Sequence, residues 1–310
     1  GDGGASLKRR SNVFAPYLRV FKFTGEVLGM VKENPRLVAP AAGNLLVATV
    51  VSLVLAIAYA LVAEYRALAF LVLAVGVTTL YFIDYFMNAM TVSLVHDQVT
   101  TGRAELGQAA GRTFRASFGI LIFAAISGAL DLLASYARER RDVLSGVLML
   151  IVRAVWTTAV YVVMPAMVIE GVGFFAAFKR SKELMKHDPT QVGVGVVGIG
   201  MITYVLGAVI FGIGYQALEL IPIPIVSSLI FLMMVNLYWT LSGFIKSVYY
   251  TCFYLWAREC ESRGVADPSF APRPLANALK LRMREVERGT RARGLLVHWL
   301  NLSETTTRSG

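Results

Sequence analysis

The fold is decided by residues 81–170, YFIDYFMNAMTVSLVHDQVTTGRAELGQAAGRTFRASFGILIFAAISGALDLLASYARERRDVLSGVLMLIVRAVWTTAVYVVMPAMVIE (Tyr81–Glu170). The stretch holds the end of one apolar run, two complete runs and a basic segment between them. A helix of about 20 apolar residues crosses the hydrocarbon core of a bilayer. Asp84, Asp131 and Arg153 lie inside these runs, where charged residues are costly unless they are paired or line a polar cavity. The stretch therefore predicts a polytopic helical membrane protein.

The composition of the whole chain agrees with this class. The 310 residues are 56% hydrophobic and only 16% charged, and the mean hydropathy is +0.61, which excludes a single soluble domain. The net charge of +10 comes from basic residues that flank the apolar runs. Anionic lipid headgroups, and not nucleic acid, are therefore the expected counter-surface.

Working outward from residues 81–170, the pattern predicts an all-α fold with six transmembrane helices arranged as three hairpins. We expect a cytoplasmic tail and interfacial helix in residues 1–36, a six-span domain in residues 37–258, and a basic amphipathic helix and tail in residues 259–310. The predicted spans are residues 37–63, 67–94, 117–133, 143–168, 192–218 and 226–256.

Basic amphipathic segments precede some of these spans. FKFTGE (Phe21–Glu26) aligns with FKRSKE (Phe178–Glu183), and FRAS (Phe114–Ser117) is a fainter third copy. These matches predict three units, each with an interfacial basic helix followed by two spans.

The distribution of basic residues predicts the orientation. With the N-terminus inside, 24 of the 30 Lys and Arg residues fall in inner segments and 4 in outer turns. Cytoplasmic segments of membrane proteins are enriched in Lys and Arg, so we expect both termini in the cytoplasm.

Helix depth indicates which intramembrane charges meet. At a rise of about 1.5 Å per residue, Asp84 and Lys246 lie at a similar level, and so do Asp131 and Arg153. Glu170, just after the fourth span, competes for Lys246. These residues form either a polar pathway, as in transporters, or neutralised pairs that fix helix register.

The C-terminal segment is strongly basic. It predicts attachment to an anionic membrane surface, or a docking helix for a protein partner. Its candidate contact residues are Lys280, Arg282, Arg284, Arg288, Arg291 and Arg293.

Motifs for chemistry are missing from the sequence. GVGVVG (Gly193–Gly198) has the spacing of a dinucleotide-binding loop, but no strand precedes it and it opens a span. Its glycines, like Ala208 and Gly212, are expected to permit close approach between helices. We expect no metal, no cofactor and no enzymatic activity.

Several segments resemble a family of bacterial membrane proteins known only as a domain of unknown function. They are YFIDYFMNA (Tyr81–Ala89), residues 102–115, WTTAVYVVMP (Trp156–Pro165), VIEG (Val168–Gly171), AFKRS (Ala177–Ser181) and YLWAR (Tyr254–Arg258). The resemblance covers residues 13–258 and implies six spans in the inner membrane of a bacterium. It implies no activity and no catalytic residues.

Two functions are compatible with these sequence features. The first is a non-enzymatic scaffold or accessory subunit of a membrane assembly, with a protein partner or as a homo-oligomer. The alternative is a transporter or channel for a small solute or ion, with a polar pathway at Asp84 and Arg153. A water-filled cavity that reaches Asp84 from one side would favour transport. Dry packing around both charge pairs and large apolar faces against neighbouring chains would favour the scaffold.

Overall fold

The protein is all-helical in the part of the chain that the computed structural model describes, residues 15–139, 143–186, 189–220, 223–265 and 267–276. Short 3₁₀ turns occupy Pro35–Val38 and Pro268–Phe270. The α-helices are α1 (Ala15–Glu33), α2 (Ala39–Val62), α3 (Arg66–Thr101), α4 (Leu106–Glu139), α5 (Val143–Ile169), α6 (Phe174–Lys186), α7 (Pro189–Glu219) and α8 (Pro224–Arg263).

Six of these helices are long and apolar enough to cross a membrane. The candidate spans are Pro35–Val62, Arg66–Thr101, Leu106–Ser135, Val147–Ile169, Gly198–Gln216 and Pro224–Arg263. The predicted all-α fold with six apolar helices is therefore confirmed, and it indicates a membrane protein. α3 has 36 residues and α8 has 40, so both are longer than the about 20 residues that hydrocarbon requires.

The connection between α3 and α4 differs from the sequence prediction. Residues 96–115 were expected to form a polar segment between two spans, with a separate basic helix before the third. Instead α3 continues to Thr101, and α4 already begins at Leu106. Gly102 ends α3 because it adopts a left-handed conformation with φ of 70°, which glycine adopts without steric cost. The FRAS segment, which was the third copy of the predicted repeat, is therefore part of α4.

α3 is the central helix of the bundle. It contacts α2, α4, α5 and α8. In addition, α2 packs on α8, α4 on α5, and α7 on α8. The side chains of α3 thus face most of the other spans, which places Asp84 at the centre of the molecule.

Burial is uneven along the bundle. The buried residues of α2 lie in its first half, from Pro40 to Ala48, whereas most of those of α3 lie in its second half, from Tyr85 to Asp97. α8 is buried only from Asn236 onward. Because α2 and α3 are joined by a short turn, these buried segments lie at the same end of the bundle, which we call the closed end. The opposite end, which contains the turn at residues 63–65, is called the open end.

The short helix α6 packs on the closed end. It contacts α5 and α8. Ala177, Ser181 and Leu184 are buried at helical spacing, while Lys179 and Lys182 are exposed. One face of α6 therefore covers the bundle, and the other presents positive charge.

Candidate functional site

A cleft of about 460 Å³ lies between α2, α3 and α8. Its walls are mostly apolar, and Asp131 of α4 adds a carboxylate at one side. Tyr59, toward the open end, is 41% exposed, and Trp239, next to Thr240 on α8, is 42% exposed, whereas Asn44 and Thr240 are 3% and 4% exposed. The cleft therefore has a buried floor at Asn44 and Thr240, and it is open both toward the open end of the bundle and along its side at Trp239.

The floor of the cleft is a hydrogen-bonded cluster that joins three helices. Asn44 Nδ2 donates to Asp84 Oδ1 at 2.9 Å and to Thr240 Oγ1 at 3.2 Å. Asn88 Nδ2 donates to Asp84 Oδ2 at 3.1 Å. Asp84 lies 18 residues after the start of α3 at Arg66, which corresponds to about 27 Å along the helix. The floor thus lies at a depth close to the full hydrocarbon thickness of about 30 Å.

Two buried amide atoms on the cleft have no hydrogen-bond partner in the described part of the chain. They are Asn44 Oδ1 and Asn236 Nδ2, and both side chains line the cleft. Asn44 is 3% exposed and Asn236 is 8% exposed. A buried amide group without a partner is unfavourable by about 1–3 kcal/mol, so contact with a polar group that reaches either atom from the cleft would be favourable.

The expected pair between Asp84 and Lys246 does not form in the described structure. Each oxygen of Asp84 accepts a hydrogen bond from an asparagine amide, and among the described residues no ion pair within 4.0 Å joins the carboxylate to Lys246. The Lys246 ammonium instead lies 5.4 Å from the centre of the Tyr161 ring, a distance that suits a cation–π interaction. The two charges still act on each other electrostatically, but the sequence analysis did not foresee the amides that contact Asp84.

The structure does bring Asp131 and Arg153 together. Arg153 Nη2 lies 2.6 Å from Asp131 Oδ1, with the side chains 35% and 26% exposed. The hydroxyl of Tyr81 donates to Asp131 Oδ2, and both Tyr81 and Asp131 line the cleft. Arg153 does not line it, so Asp131 is the member of this pair that faces the cleft.

A second polar cluster joins α3, α4 and α5 away from the cleft. Ser127 Oγ accepts a hydrogen bond from Trp156 Nε1 at 2.8 Å and lies 2.8 Å from the hydroxyl of Tyr85. Ser127 is 4% exposed and Tyr85 is 3% exposed. This cluster holds together the three helices that carry Asp84, Asp131 and Arg153.

The sequence analysis had allowed a pair between Glu170 and Lys246. In the structure Glu170 instead pairs with residues at the closed end. Arg180 Nε donates to Glu170 Oε1 at 3.4 Å, and the hydroxyl of Tyr254 donates to the same oxygen. Arg180 also donates to both oxygens of Glu261, at 2.9 and 2.6 Å. This bidentate bond raises the pKa of the Arg180 guanidinium above its ordinary value, so the residue stays charged.

A further ion pair joins α3 and α4 at the closed end. Arg112 Nη1 lies 2.6 Å from Asp97 Oδ1 and 3.1 Å from Ser93 Oγ. Together with the contacts of Arg180, it links four helices of the bundle, α3, α4, α6 and α8, across the closed end. Charged contacts therefore tie α3 to α4 and α6 to α8 at this end.

Two further expectations from the sequence concern the basic C-terminal segment and metal binding. The basic residues from Lys280 to Arg293 lie outside the described residues. Among the described residues, no group of three or more His, Cys, Asp or Glu side chains could hold a metal ion.

The sequence prediction also missed residues that form the site, namely Asn44, Asn236 and Thr240. An asparagine inside an apolar span was the available signal, since polar side chains in hydrocarbon need partners just as charged ones do.

The comparisons with known proteins bear on the family. A search of curated proteins found no match. Residues 65–264 match the family of unknown function DUF6159. This match starts later than the expected residue 13 and ends near the expected residue 258, and it includes α3, α4, α5, α6, α7 and α8. The resemblance inferred from the sequence is confirmed, and the chain belongs to the family of unknown function DUF6159.

Proposed function

We propose that this protein is a non-enzymatic transporter or channel for a small solute, with the cleft at Asp84 as its binding site. The observation that carries the proposal is the cleft of about 460 Å³, which reaches Asp84 and Asp131 from one side of the bundle. Ligand sites are typically concave, mostly apolar and furnished with a few placed polar groups, as this cleft is. Of the two functions left open by the sequence, the geometry favours transport.

The closed end supports the same proposal. A transporter that exposes its site to one side of the membrane at a time must be sealed on the other side. Below the floor, buried side chains fill the space between α3 and α8, and the contacts of Arg112 and Arg180 join the helices. Opening of this end would require those ion pairs to break.

The membrane and orientation are part of the proposal. The distribution of Lys and Arg supports a location in the bacterial inner membrane with the closed end and both termini in the cytoplasm. We place the three helix pairs α2–α3, α4–α5 and α7–α8 as three hairpins in the bilayer, with α1 and α6 at the cytoplasmic interface. The exposed positive face of α6 suits anionic headgroups.

The role as scaffold or accessory subunit remains a prediction. It rests on the basic segment from Lys280 to Arg293, for which a protein partner or the membrane surface is the counterpart. The exposed apolar faces of the spans do not favour it, because a bilayer covers such faces.

Cysteine accessibility tests the proposal. Cys252 and Cys260 are both buried, so an introduced cysteine is the main reactive thiol. Ser52 lines the cleft, and its neighbour Leu53 is 40% exposed without lining it. A charged, membrane-impermeant thiol reagent added at the open end should label Ser52→Cys and not the matched control Leu53→Cys, which faces lipid.

The same assay examines the closed end. Reagent added at the closed end should leave Ser52→Cys unlabelled, and the additional change Arg180→Gln should increase labelling from that side. Labelling of Ser52→Cys from neither side, in a protein that is correctly folded, would show that the cleft is dry or filled by lipid. That result would refute the transport proposal and favour the scaffold.

A further inference from the structure

The walls of the cleft restrict the chemistry of the solute. The cavity volume of about 460 Å³ is within the range of about 300–1,000 Å³ that accommodates drug-sized ligands. Most of the surface is apolar, with leucine, valine, alanine and aromatic side chains among those that line it, and it favours an apolar body over a hydrated ion.

The charges on the cleft restrict the head of the solute. Asp84 and Asp131 are the charged residues among those that line the cleft. Asp131 already has Arg153 at 2.6 Å, whereas the oxygens of Asp84 contact neutral amides, and in the described structure the charge of Lys246 acts on Asp84 without an ion pair within 4.0 Å. A carboxylate that no cation contacts retains attraction for a cation that reaches it, and each of its oxygens accepts more than one hydrogen bond.

The two amide atoms without partners add a donor and an acceptor. Asn44 Oδ1 is a hydrogen-bond acceptor, and it belongs to the side chain that binds Asp84. Asn44 Oδ1 and the Asp84 carboxylate therefore both suit a ligand that donates hydrogen bonds at the floor. Asn236 Nδ2 donates, and it lies one helical turn from Thr240 on α8, which is about 6 Å along the helix. The cleft is therefore complementary to a donor at its floor and an acceptor higher on its wall.

We infer that the cleft binds an amphipathic organic amine: an apolar body with a protonated amine that donates to Asp84 and Asn44 Oδ1, and a nearby oxygen that accepts from Asn236 Nδ2. This inference rests on the proposed solute-binding role of the cleft and gives the chemical class of the solute.

Binding is measured on the full chain in lipid nanodiscs, through the fluorescence of Trp239, which lines the cleft and is 42% exposed. The probes share one cage and differ in the head: adamantanemethylamine, adamantanemethanol and adamantanecarboxylate. We expect the amine to bind most tightly and the carboxylate most weakly. A Trp239→Phe variant identifies the signal that arises from the cleft and not from partition of the probe into lipid.

The matched variant is Asp84→Asn, which keeps the shape of the side chain and removes its charge. It should weaken binding of the amine by about 10-fold to 100-fold, the value of a hydrogen bond to a charged group. Binding of the neutral alcohol should change far less, and its retention shows that the variant is folded. The N-hydroxyethyl derivative of the amine should bind more tightly than the amine, and Asn236→Leu should abolish that gain.

The outcomes separate the two proposals. If the alcohol binds as well as the amine and Asp84→Asn leaves both unchanged, the assignment of an amine is wrong although the cleft still binds a solute. If no probe gives a signal that depends on Trp239, because the cleft is closed or occupied by a lipid chain, both the inference and the proposed function are wrong.

A plugged variant provides the control for position. Ala56 lines the cleft, whereas Val54, on another face of α2, is 58% exposed and does not line it. Ala56→Phe should reduce the binding of all three probes, and Val54→Phe should leave it unchanged. Equal effects of the two changes would place the probes outside the cleft and overturn the inference.

Discussion

A close approach between α3 and α8 gives a prediction that can be worked through in numbers. Gly243 of α8 faces Asn88 of α3, and a Cβ atom added at Gly243 would lie 2.7 Å from Asn88 Nδ2 and 2.9 Å from Oδ1. Carbon atoms in good contact are about 3.5–4.0 Å apart. Asn88 is 4% exposed and donates to Asp84, so its side chain cannot move without losing that bond. Gly243→Ala should therefore disturb the floor of the cleft.

The expected magnitude follows from three contributions. Overpacking of a filled interior costs about 1–3 kcal/mol, and loss of a hydrogen bond within a membrane protein costs about 0.6–1.7 kcal/mol. Replacement of glycine by alanine within a helix favours folding by about 1 kcal/mol. We expect Gly243→Ala to lower the free energy of unfolding by about 1–3 kcal/mol.

A double-mutant cycle isolates this contact. Asn88→Ala removes the side chain that blocks the new methyl group, so Gly243→Ala should become neutral or stabilising in that background, with a coupling of about 1–3 kcal/mol. The measurement is the helical signal in circular dichroism as mixed micelles are enriched in a denaturing detergent. Gly212→Ala is the control, because a Cβ atom there has nothing within 4 Å. Additive effects of the two changes, or equal effects at Gly243 and Gly212, would refute the reasoning.

Three further predictions address the other parts of the molecule. Ser127→Ala removes the hydroxyl that accepts a hydrogen bond from Trp156 and should lower the free energy of unfolding by about 1–3 kcal/mol in the same assay. Ser135→Ala, whose hydroxyl donates within its own helix at 3.0 Å, should lower it less. The reverse order would contradict the assigned contact. Arg153→Met leaves the carboxylate of Asp131 in an apolar environment without its cation and should destabilise the protein, and the added change Asp131→Asn should recover part of the loss, as measured by the detergent concentration at half-unfolding. Deletion of residues 277–310 should leave the cleft accessible to thiol reagents and abolish co-purification of any stoichiometric partner detected by mass spectrometry, and retention of such a partner would exclude the basic segment as its docking site.

The sequence was sufficient to predict the fold class because hydrophobic length is a strong signal. Lipid allows few alternatives to the helix, so runs such as residues 37–63 and 226–256 could be assigned without knowledge of packing. Helix ends were less predictable. The polar composition of residues 96–115 was taken as a break between spans, although only residues 102–105 lie outside a helix. Length and polarity do not reveal where a helix leaves the bilayer and continues in water.

The candidate site was predicted only in part. Depth along the helices correctly brought Asp131 and Arg153 together, because both lie a similar distance from the same end. The same argument placed Asp84 and Lys246 near enough to interact electrostatically, but it did not predict that amides contact Asp84, since depth does not tell which way a side chain faces around the helix. Asn44 and Asn236 escaped notice because only ionisable residues were considered, and their relation to Asp84 depends on how three helices pack.

The close approaches of the helices were also not evident from the sequence. Gly212 was expected to permit close packing of α7, but open space surrounds it. On α7 the tight contacts occur instead at Gly207 and Gly214, which face Tyr238 and Met234 of α8. Elsewhere they occur at glycines such as Gly243 and Gly76, where an added Cβ would lie within 3 Å of a neighbouring side chain. A glycine pattern identifies helices that are able to approach each other, whereas the fold determines which of them do.

The unusual length of α3 and α8 means that this one molecule folds in two solvents. With 36 and 40 residues, these helices extend about 54 and 60 Å, roughly twice the hydrocarbon thickness of about 30 Å. The part beyond the bilayer at the closed end, where Leu94, Val95 and Trp256 are buried, is stabilised by the exclusion of water, as in any soluble protein. Within the bilayer that driving force is missing, and close packing and hydrogen bonds must hold the helices instead. Urea and detergents are therefore expected to act on different parts of the same helices.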